Sequence, residues 1–231
     1  MTKTGEPLCV ATMYREYLPQ HGMYAAVSPD GIHFTNFVGH SSPLYAPESG
    51  VRDPAILFYE GQFWLAYSSG WPPEDLAAYL YLATSPDLVT WTFRVAIRAS
   101  EDTGASVDVP QWLIDSSGTV HLIGCIGATH HWVEIHAKSP DSSTWNAASN
   151  WSEKRDLLDH RGTSLIQGNS FVTRSAGTWY MIFDPFAEMT MGLIDGRYYL
   201  RTSPDLVANW SDARLLDLDS NINNRCREGC R

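Results

Sequence analysis

Apolar and aromatic residues fall in short runs along this chain, each closed by Gly, Pro, Asp or Ser. The clearest case is an apolar run over 55–59, then Glu60-Gly61, then Gln-Phe-Trp-Leu-Ala-Tyr-Ser over 62–68. Two such runs about a tight turn predict a β-hairpin. Arg52 and Asp53 stand just before the first run, followed by Pro54. Proline has no N–H to give to a ladder, so it marks a strand's first residue or an edge. The pattern predicts an ionisable pair at the mouth of a buried strand. Helical periodicity is nearly absent; residues 73–78 are the one stretch expected to form a helical turn.

The hairpin belongs to a repeat. Ser-Pro-Asp recurs at Ser28, Ser85, Ser139 and Ser203, at intervals of 57, 54 and 64 residues. Each copy follows a predicted strand (24–27, 80–83, 134–137, 198–201) and leads to an aromatic: Phe34, Trp91, Trp145 or Trp210. Proline presets φ in such a turn, and Ser and Asp side chains bond to nearby backbone. The aromatic is expected to open the next strand. Upstream, Gly61, Gly118 and Gly177 mark equivalent hairpin turns, and counting back from them reaches Asp53, Asp108 and Gln167 as mouth residues.

Each unit thus reads as four antiparallel strands. Repetition at this period predicts an all-β fold, a β-propeller of four-stranded blades, rather than a sandwich, which shows no long repeat. A single domain over residues 1–231 is expected, with a partial blade at 7–46, full blades at 47–98, 104–151 and 162–216, and a polar tail at 217–231. The partial blade offers strands at 8–14, 23–27 and 32–38 and lacks a mouth residue and an inner strand. Ring folds often complete their first unit with the chain's last segment, but this tail is too hydrophilic for a good central strand.

Composition narrows the function. At 231 residues and 44% hydrophobic, the chain has enough material for one sizeable core. A net charge of −10 with three lysines argues against nucleic-acid binding. No stretch is long and apolar enough for a membrane span. Residues 1–7 are polar and unlike a signal peptide, so a cytoplasmic location is expected, or secretion if a leader has been removed. Four scattered cysteines make no disulfide framework; Cys125 reads as a buried thiol, and Cys226 and Cys230 fall in the tail.

In a propeller the first strand of each blade lines the axis. Asp53, Asp108 and Gln167 are therefore expected to converge, although 55 and 59 residues separate them. Two convergent carboxylates are the minimum equipment for cleaving a glycosidic bond. One stays ionised as base or nucleophile; the other holds a proton near neutral pH through burial or a neighbouring like charge.

These residues also carry a resemblance. Val51-Arg52-Asp53-Pro54-Ala55-Ile56, with the hairpin over 61–68, resembles the opening blade of glycoside hydrolase family 43 and its clan of arabinanases, arabinofuranosidases, xylosidases, invertases and levansucrases. Ser-Pro-Asp-Leu-Val at Ser85 and Ser203 is similar to the clan's blade-ending motif, and residues 178–184 resemble its fourth-blade hairpin. The resemblance implies a five-bladed propeller type, of which about four blades are evident here. It implies a glycosidase of arabinose-, xylose- or fructose-containing glycans, with an oligosaccharide or glycoside as partner. Asp53 would be the base or stabilising carboxylate, positioned by Arg52, and Asp108 the second carboxylate. Gln167, Asn169 and Asp184 would meet substrate hydroxyls, with Trp71, Trp112 and Phe186 as stacking surfaces.

Two departures stand out. Gln167 occupies the place of the family's acidic Glu, and an amide cannot donate a proton as a general acid. The chain is also a blade short. Asp108 as acid, Asp184 as acid, and a site that binds sugar without cleaving it all remain open. No cofactor is expected, though the resemblance leaves room for a calcium ion in the central channel. The oligomeric state is left open. His130, Trp132, Glu134 and His136 share one face of a predicted strand and, with His131, have metal-ligand chemistry. Strand alternation assigns them instead to an outward polar face, and His121 falls in the preceding strand.

Overall fold

The computed structural model describes residues 9–14, 22–37, 42–48, 50–68, 79–98, 107–127, 129–185 and 197–216. It is an all-β propeller. Strands β1 (Cys9–Tyr14), β2 (Met23–Ser28) and β3 (Thr35–Asn36) form one antiparallel sheet. Three four-stranded antiparallel sheets follow in chain order. Counting the β1–β3 sheet as the first, the second holds β4 (Arg52–Tyr59), β5 (Gln62–Ser68), β6 (Tyr79–Ser85) and β7 (Thr92–Arg98). The third holds β8 (Val107–Ile114), β9 (Val120–Ile126), β10 (His131–His136) and β11 (Arg155–Asp156). The fourth holds β12 (Ser170–Ser175), β13 (Thr178–Phe183), β14 (Tyr199–Ser203) and β15 (Arg214–Leu215). Strand β4 lies against β8, and β8 against β12, so the blades' first strands gather on one axis.

The first sheet is incomplete in the expected way. Its Ser-Pro-Asp turn follows β2, as the other turns follow β6 and β14, the third strands of their blades. So β1 stands as a second strand, and it packs on β4 as β5 packs on β8. Among the described residues this sheet has no innermost strand. Residues 73–78 and the tail lie outside the described residues.

Local chemistry explains the turns. Tyr59 pairs with Gln62 and Ser175 with Thr178, which leaves two-residue loops. In both loops each residue has positive φ: Glu60 and Gly61 at 47° and 82°, Ala176 and Gly177 at 47° and 83°. That is the turn whose twist matches the strands, and the glycine supplies its second position without a steric cost.

Three of the Ser-Pro-Asp turns share one bonding pattern; in the fourth, at Ser139, Asp141 Oδ1 accepts the Ser143 N–H and the Thr144 N–H goes to the Asp141 carbonyl. In the turn at Ser85, Ser85 Oγ accepts the Asp87 N–H, while Asp87 Oδ1 accepts the N–H groups of Val89 (2.9 Å) and Thr90 (2.7 Å). Asp30 and Asp205 do the same for the residues two and three positions on. The bonds from Thr90 and Val89 hold the Asp87 carboxyl at a pKa of about 2. Its stabilising effect is therefore complete above the unfolded value near 3.8 and is lost as pH falls through about 2. An NMR titration should find the Asp87 carboxyl carbon still ionised at pH 3.

The aromatic after each turn behaves in two ways. Phe34 and Trp91 immediately precede β3 and β7, as anticipated. Trp145 and Trp210 do not open strands; both are fully buried, and the outer strands come later, at Arg155–Asp156 and Arg214–Leu215. Their indole N–H groups donate back to Ser139 O (2.9 Å) and Leu206 O (2.8 Å), which folds each ring inward between blades. The second full blade consequently extends to Asp156, past the anticipated boundary at 151.

The core lies between blades. Met23, Val51, Leu65 and Tyr67 pack between the first and second sheets. Trp64, Leu82, Leu122, Trp145 and Trp151 fill the space between the second and third. Ile123, Trp132, Met181, Phe183 and Trp210 fill that between the third and fourth. Hydrogen bonds stitch the same boundaries near the axis. Thr12 Oγ1 donates to Pro54 O (2.6 Å), and Trp112 Nε1 to Ala55 O (3.2 Å). The Gln111 amide donates to Ser170 O and accepts from Val172 N (2.9 Å), so one side chain satisfies a β12 carbonyl and a β12 N–H.

Candidate active site

Strands β4 and β8 open in the same irregular way. Their ladders slip between Arg52 and Ala55 and between Asp108 and Gln111. Each slip contains a residue at φ 47°, Asp53 in one strand and Val109 in the other, followed by Pro54 or Pro110. Proline cannot complete the ladder, and a bulge re-aims the neighbouring side chains. A β-branched residue at positive φ is strained, and such strain of order 1–3 kcal/mol collects where function requires a particular geometry.

Matching the two bulges sets Asp53 level with Val109, and Asp108 level with Arg52. The positions assigned from the turn glycines are therefore not equivalent: Asp53 stands eight residues before Gly61, whereas Asp108 and Gln167 stand ten before Gly118 and Gly177. The Gly118 turn is longer, with Ile114 paired to Val120, but the Gly177 turn has the same two-residue loop as the Gly61 turn, and eight residues before it is Asn169.

The offset makes the contacts of the two acids cross the blade boundary. Asp53 Oδ2 accepts the Val109 N–H at 3.2 Å, and Arg52 Nη1 lies 3.7 Å from Asp108 Oδ1. Arg52 and Asp108 keep 28% and 23% of their side-chain surface exposed. Two carboxylates and one guanidinium therefore share the mouth of the β4–β8 boundary within reach of solvent.

Behind them, Cys125 pairs with Asp108 across the β8–β9 ladder. Burial, reinforced by the Asp108 charge, pushes its thiol up to about 12. Native protein at pH 8 should therefore leave Cys125 unalkylated by iodoacetamide while exposed Cys9 reacts, as peptide mapping would show.

Cys125 Sγ is 4.0 Å from the carbonyl of Gln167, and Trp132 Nε1 donates to the same oxygen at 3.2 Å. Gln167 is thus brought up behind the Asp108 strand pair. It is 1% exposed, its amide nitrogen faces the Met181 sulfur, and its amide oxygen is buried without a hydrogen-bond partner among the described residues. Gly168 follows for a steric reason: a Cβ there would stand 2.1 Å from the Asp184 carbonyl oxygen. Asp184 N–H donates to Asn169 O at 3.2 Å. Asn169, exposed, and Asp184, half-buried, therefore form a second polar group at the mouth of the β12–β13 hairpin.

Trp112 is placed in the core. Its ring stacks 6.1 Å from Trp145 at 21°, and its N–H is taken by Ala55. Trp71 and Phe186 lie outside the described residues. Sequence reasoning passed over Val109 and Gln111, one the strained hinge of the mouth and the other its tie to β12. The shared Pro54 and Pro110 were the available signal for the first.

The expectation of an outward polar face on β10 is corrected. Glu134 is fully buried, because the neighbouring blade covers that face. His121 Nδ1 and His136 Nδ1 lie 2.6 and 3.1 Å from Glu134 Oε1.

The fold is a β-propeller like those of solved glycoside hydrolase family 43 structures. No protein-family model matches the sequence, and no curated protein does. Solved structures do match. An exo-β-1,3-galactanase from Clostridium thermocellum aligns at TM-score 0.65 and 13% identity, over 94% of this chain and 47% of that one. The arabinanase of Bacillus subtilis aligns at TM-score 0.59 and 17% identity, over 91% of this chain and 76% of that one. A GH43 β-1,3-galactosidase with galactodeoxynojirimycin aligns at TM-score 0.59 and 10% identity, over 90% of this chain and 71% of that one. The likeness establishes the fold, and the chain spans about half the length of the Clostridium enzyme.

Proposed function

We propose that this chain is a glycoside hydrolase-like protein that cleaves glycosidic bonds through the Asp53–Asp108 pair. The carrying observation is the crossed pairing at the β4–β8 boundary, which gathers both acids and Arg52 at one solvent-accessible point. Asp53 is the base or charge-stabilising carboxylate and Asp108 its partner, with Arg52 fixing Asp108. Arabinose-, xylose- and fructose-containing glycans are the substrate classes implied by the sequence motifs. Similar solved propellers described as galactanases add galactose-containing glycans to the panel.

A second reading rests on Gln167. It is buried and cannot supply a proton, which favours a propeller that binds sugar without cleaving it. Aryl glycosides with good leaving groups separate the two, since they need little acid assistance. Turnover of a nitrophenyl arabinoside, xyloside or galactoside, lost in Asp53→Asn, supports hydrolysis. Saturable oligosaccharide binding without turnover supports the second reading. A wild-type protein that neither turns over nor binds any of the panel overturns both.

A further inference from the structure

At the other end of β8 from Asp108, a second constellation is built for a different purpose. We propose that His121, Glu134 and His136 bind a divalent transition-metal ion of the zinc type. His121 and His136 are register partners on β9 and β10, and Glu134 lies two residues before His136, on the same face. Their ligand atoms all lie within 4.8 Å of one another, and both histidine Nδ1 atoms converge on Glu134 Oε1. Tetrahedral zinc with bonds of about 2.0–2.1 Å sets such atoms about 3.3 Å apart. The separations of 2.6 and 3.1 Å need only small side-chain rotations to reach this.

The surrounding groups fit an ion as well as the ligands do. The other nitrogen of His121, Nε2, is buried without a hydrogen-bond partner among the described residues, and Asp115 Oδ2 stands 3.4 Å from it, a small rotation from bonding. The other oxygen of Glu134, Oε2, is held by Arg155 through Nε (3.0 Å) and Nη2 (2.9 Å). A carboxylate behind a ligating histidine and a hydrogen bond behind a ligating carboxylate are the supports that orient metal ligands.

The competing account is a hydrogen-bond network that merely neutralises Glu134. Arg155 already supplies one full charge for that purpose. Two further Nδ1 atoms against the remaining oxygen exceed it, and His136 Nδ1 also stands 3.3 Å from Arg155 Nη2, a donor that leaves that nitrogen its lone pair. With neutral imidazoles, Glu134 and Asp115 outweigh Arg155 by one negative charge, which a cation offsets. Imidazole and carboxylate together select zinc-type ions over calcium or magnesium, which take oxygen ligands. A cavity of about 310 Å³, lined by Asp115, His121, Arg155, Arg174, Trp179 and Asp205, opens beside His121, and His136 keeps 29% of its side-chain surface exposed.

The test uses the full chain stripped with a chelator and titrated with Zn²⁺ by calorimetry, with Co²⁺ as the spectroscopic probe. The wild type should bind one equivalent, develop the absorption of an imidazole-ligated Co²⁺ site, and melt at a higher temperature with Zn²⁺ than without. His136→Ala should lose the equivalent and the melting shift. Asp115→Asn keeps all three ligands and should weaken binding by about 10–100-fold. Absence of stoichiometric binding in the wild type overturns the assignment, as does unchanged binding in His136→Ala. If His136→Ala does not fold, unchanged affinity in Asp115→Asn overturns it instead.

Discussion

Asp53→Asn should lower turnover of an activated aryl glycoside by about 10²–10⁴-fold, the range for losing a positioned acid–base group, and leave the melting temperature where it was. The second half of that expectation gives the first its meaning. Asp53 sits at φ 47°, a conformation that Asn adopts more readily than almost any other residue with a side chain. The Asn amide oxygen also replaces the carboxylate oxygen that accepts the Val109 N–H. Backbone and cross-blade bond are therefore retained, and only the charge is removed. Asp53→Ala is the poorer experiment, because it deletes that bond and places a less tolerant residue at positive φ. Full activity in Asp53→Asn, measured at saturating substrate on protein with a wild-type melting curve, would remove Asp53 from the chemistry.

The parts of this molecule that were readable in advance are those set by local chemistry. Ser-Pro-Asp dictates its own hydrogen bonds, so Ser28, Ser85, Ser139 and Ser203 announced the repeat before any coordinates. Glu60-Gly61 and Ala176-Gly177 likewise announced two hairpins. The placing of Asp53 and Asp108 at one blade boundary followed from the ring. What failed was register. The count from the glycines was uneven, eight residues to Asp53 but ten to Asp108 and Gln167, and the bulges at Asp53 and Val109 are answers to Pro54 and Pro110 that depend on the neighbouring blade. The β10 face failed for a related reason. Alternation assumes that one side of a strand meets water, whereas a blade is covered on both sides, and Glu134 is fully buried. Trp145 and Trp210 read as strand openers from their place in the repeat; Trp91 makes the same local indole N–H bond, to Leu88 O, so the inward fold of the other two is completed by the neighbouring blades.

Trp145→Ala should produce the largest loss of stability of any single substitution considered. The ring is fully buried and lies 5.0 Å from Tyr59, nearly parallel at 20°, and 5.0 Å from Trp64, both in the preceding blade. Trp112 and Trp151 contact it from its own blade. Its carbonyl accepts the Trp151 indole N–H at 3.1 Å, and that bond survives the change. Removing the side chain leaves a cavity between two blades that cannot close without moving both, so the cost is about 3–5 kcal/mol. At about 2–4 °C per kcal/mol for a chain of this size, the midpoint should fall by about 6–20 °C. A change of similar size at exposed Val89 should stay within about 0.5 kcal/mol. The loss also reaches the mouth. Trp112, stacked on Trp145, donates to Ala55, one residue beyond Pro54, so a loosened Trp112 frees the bulge that aims Asp53. Activity in Trp145→Ala should therefore fall even at temperatures where the protein remains folded, but by less than in Asp53→Asn. A midpoint drop below about 3 °C would mean that the blades are held together elsewhere and that Trp145 is a passenger.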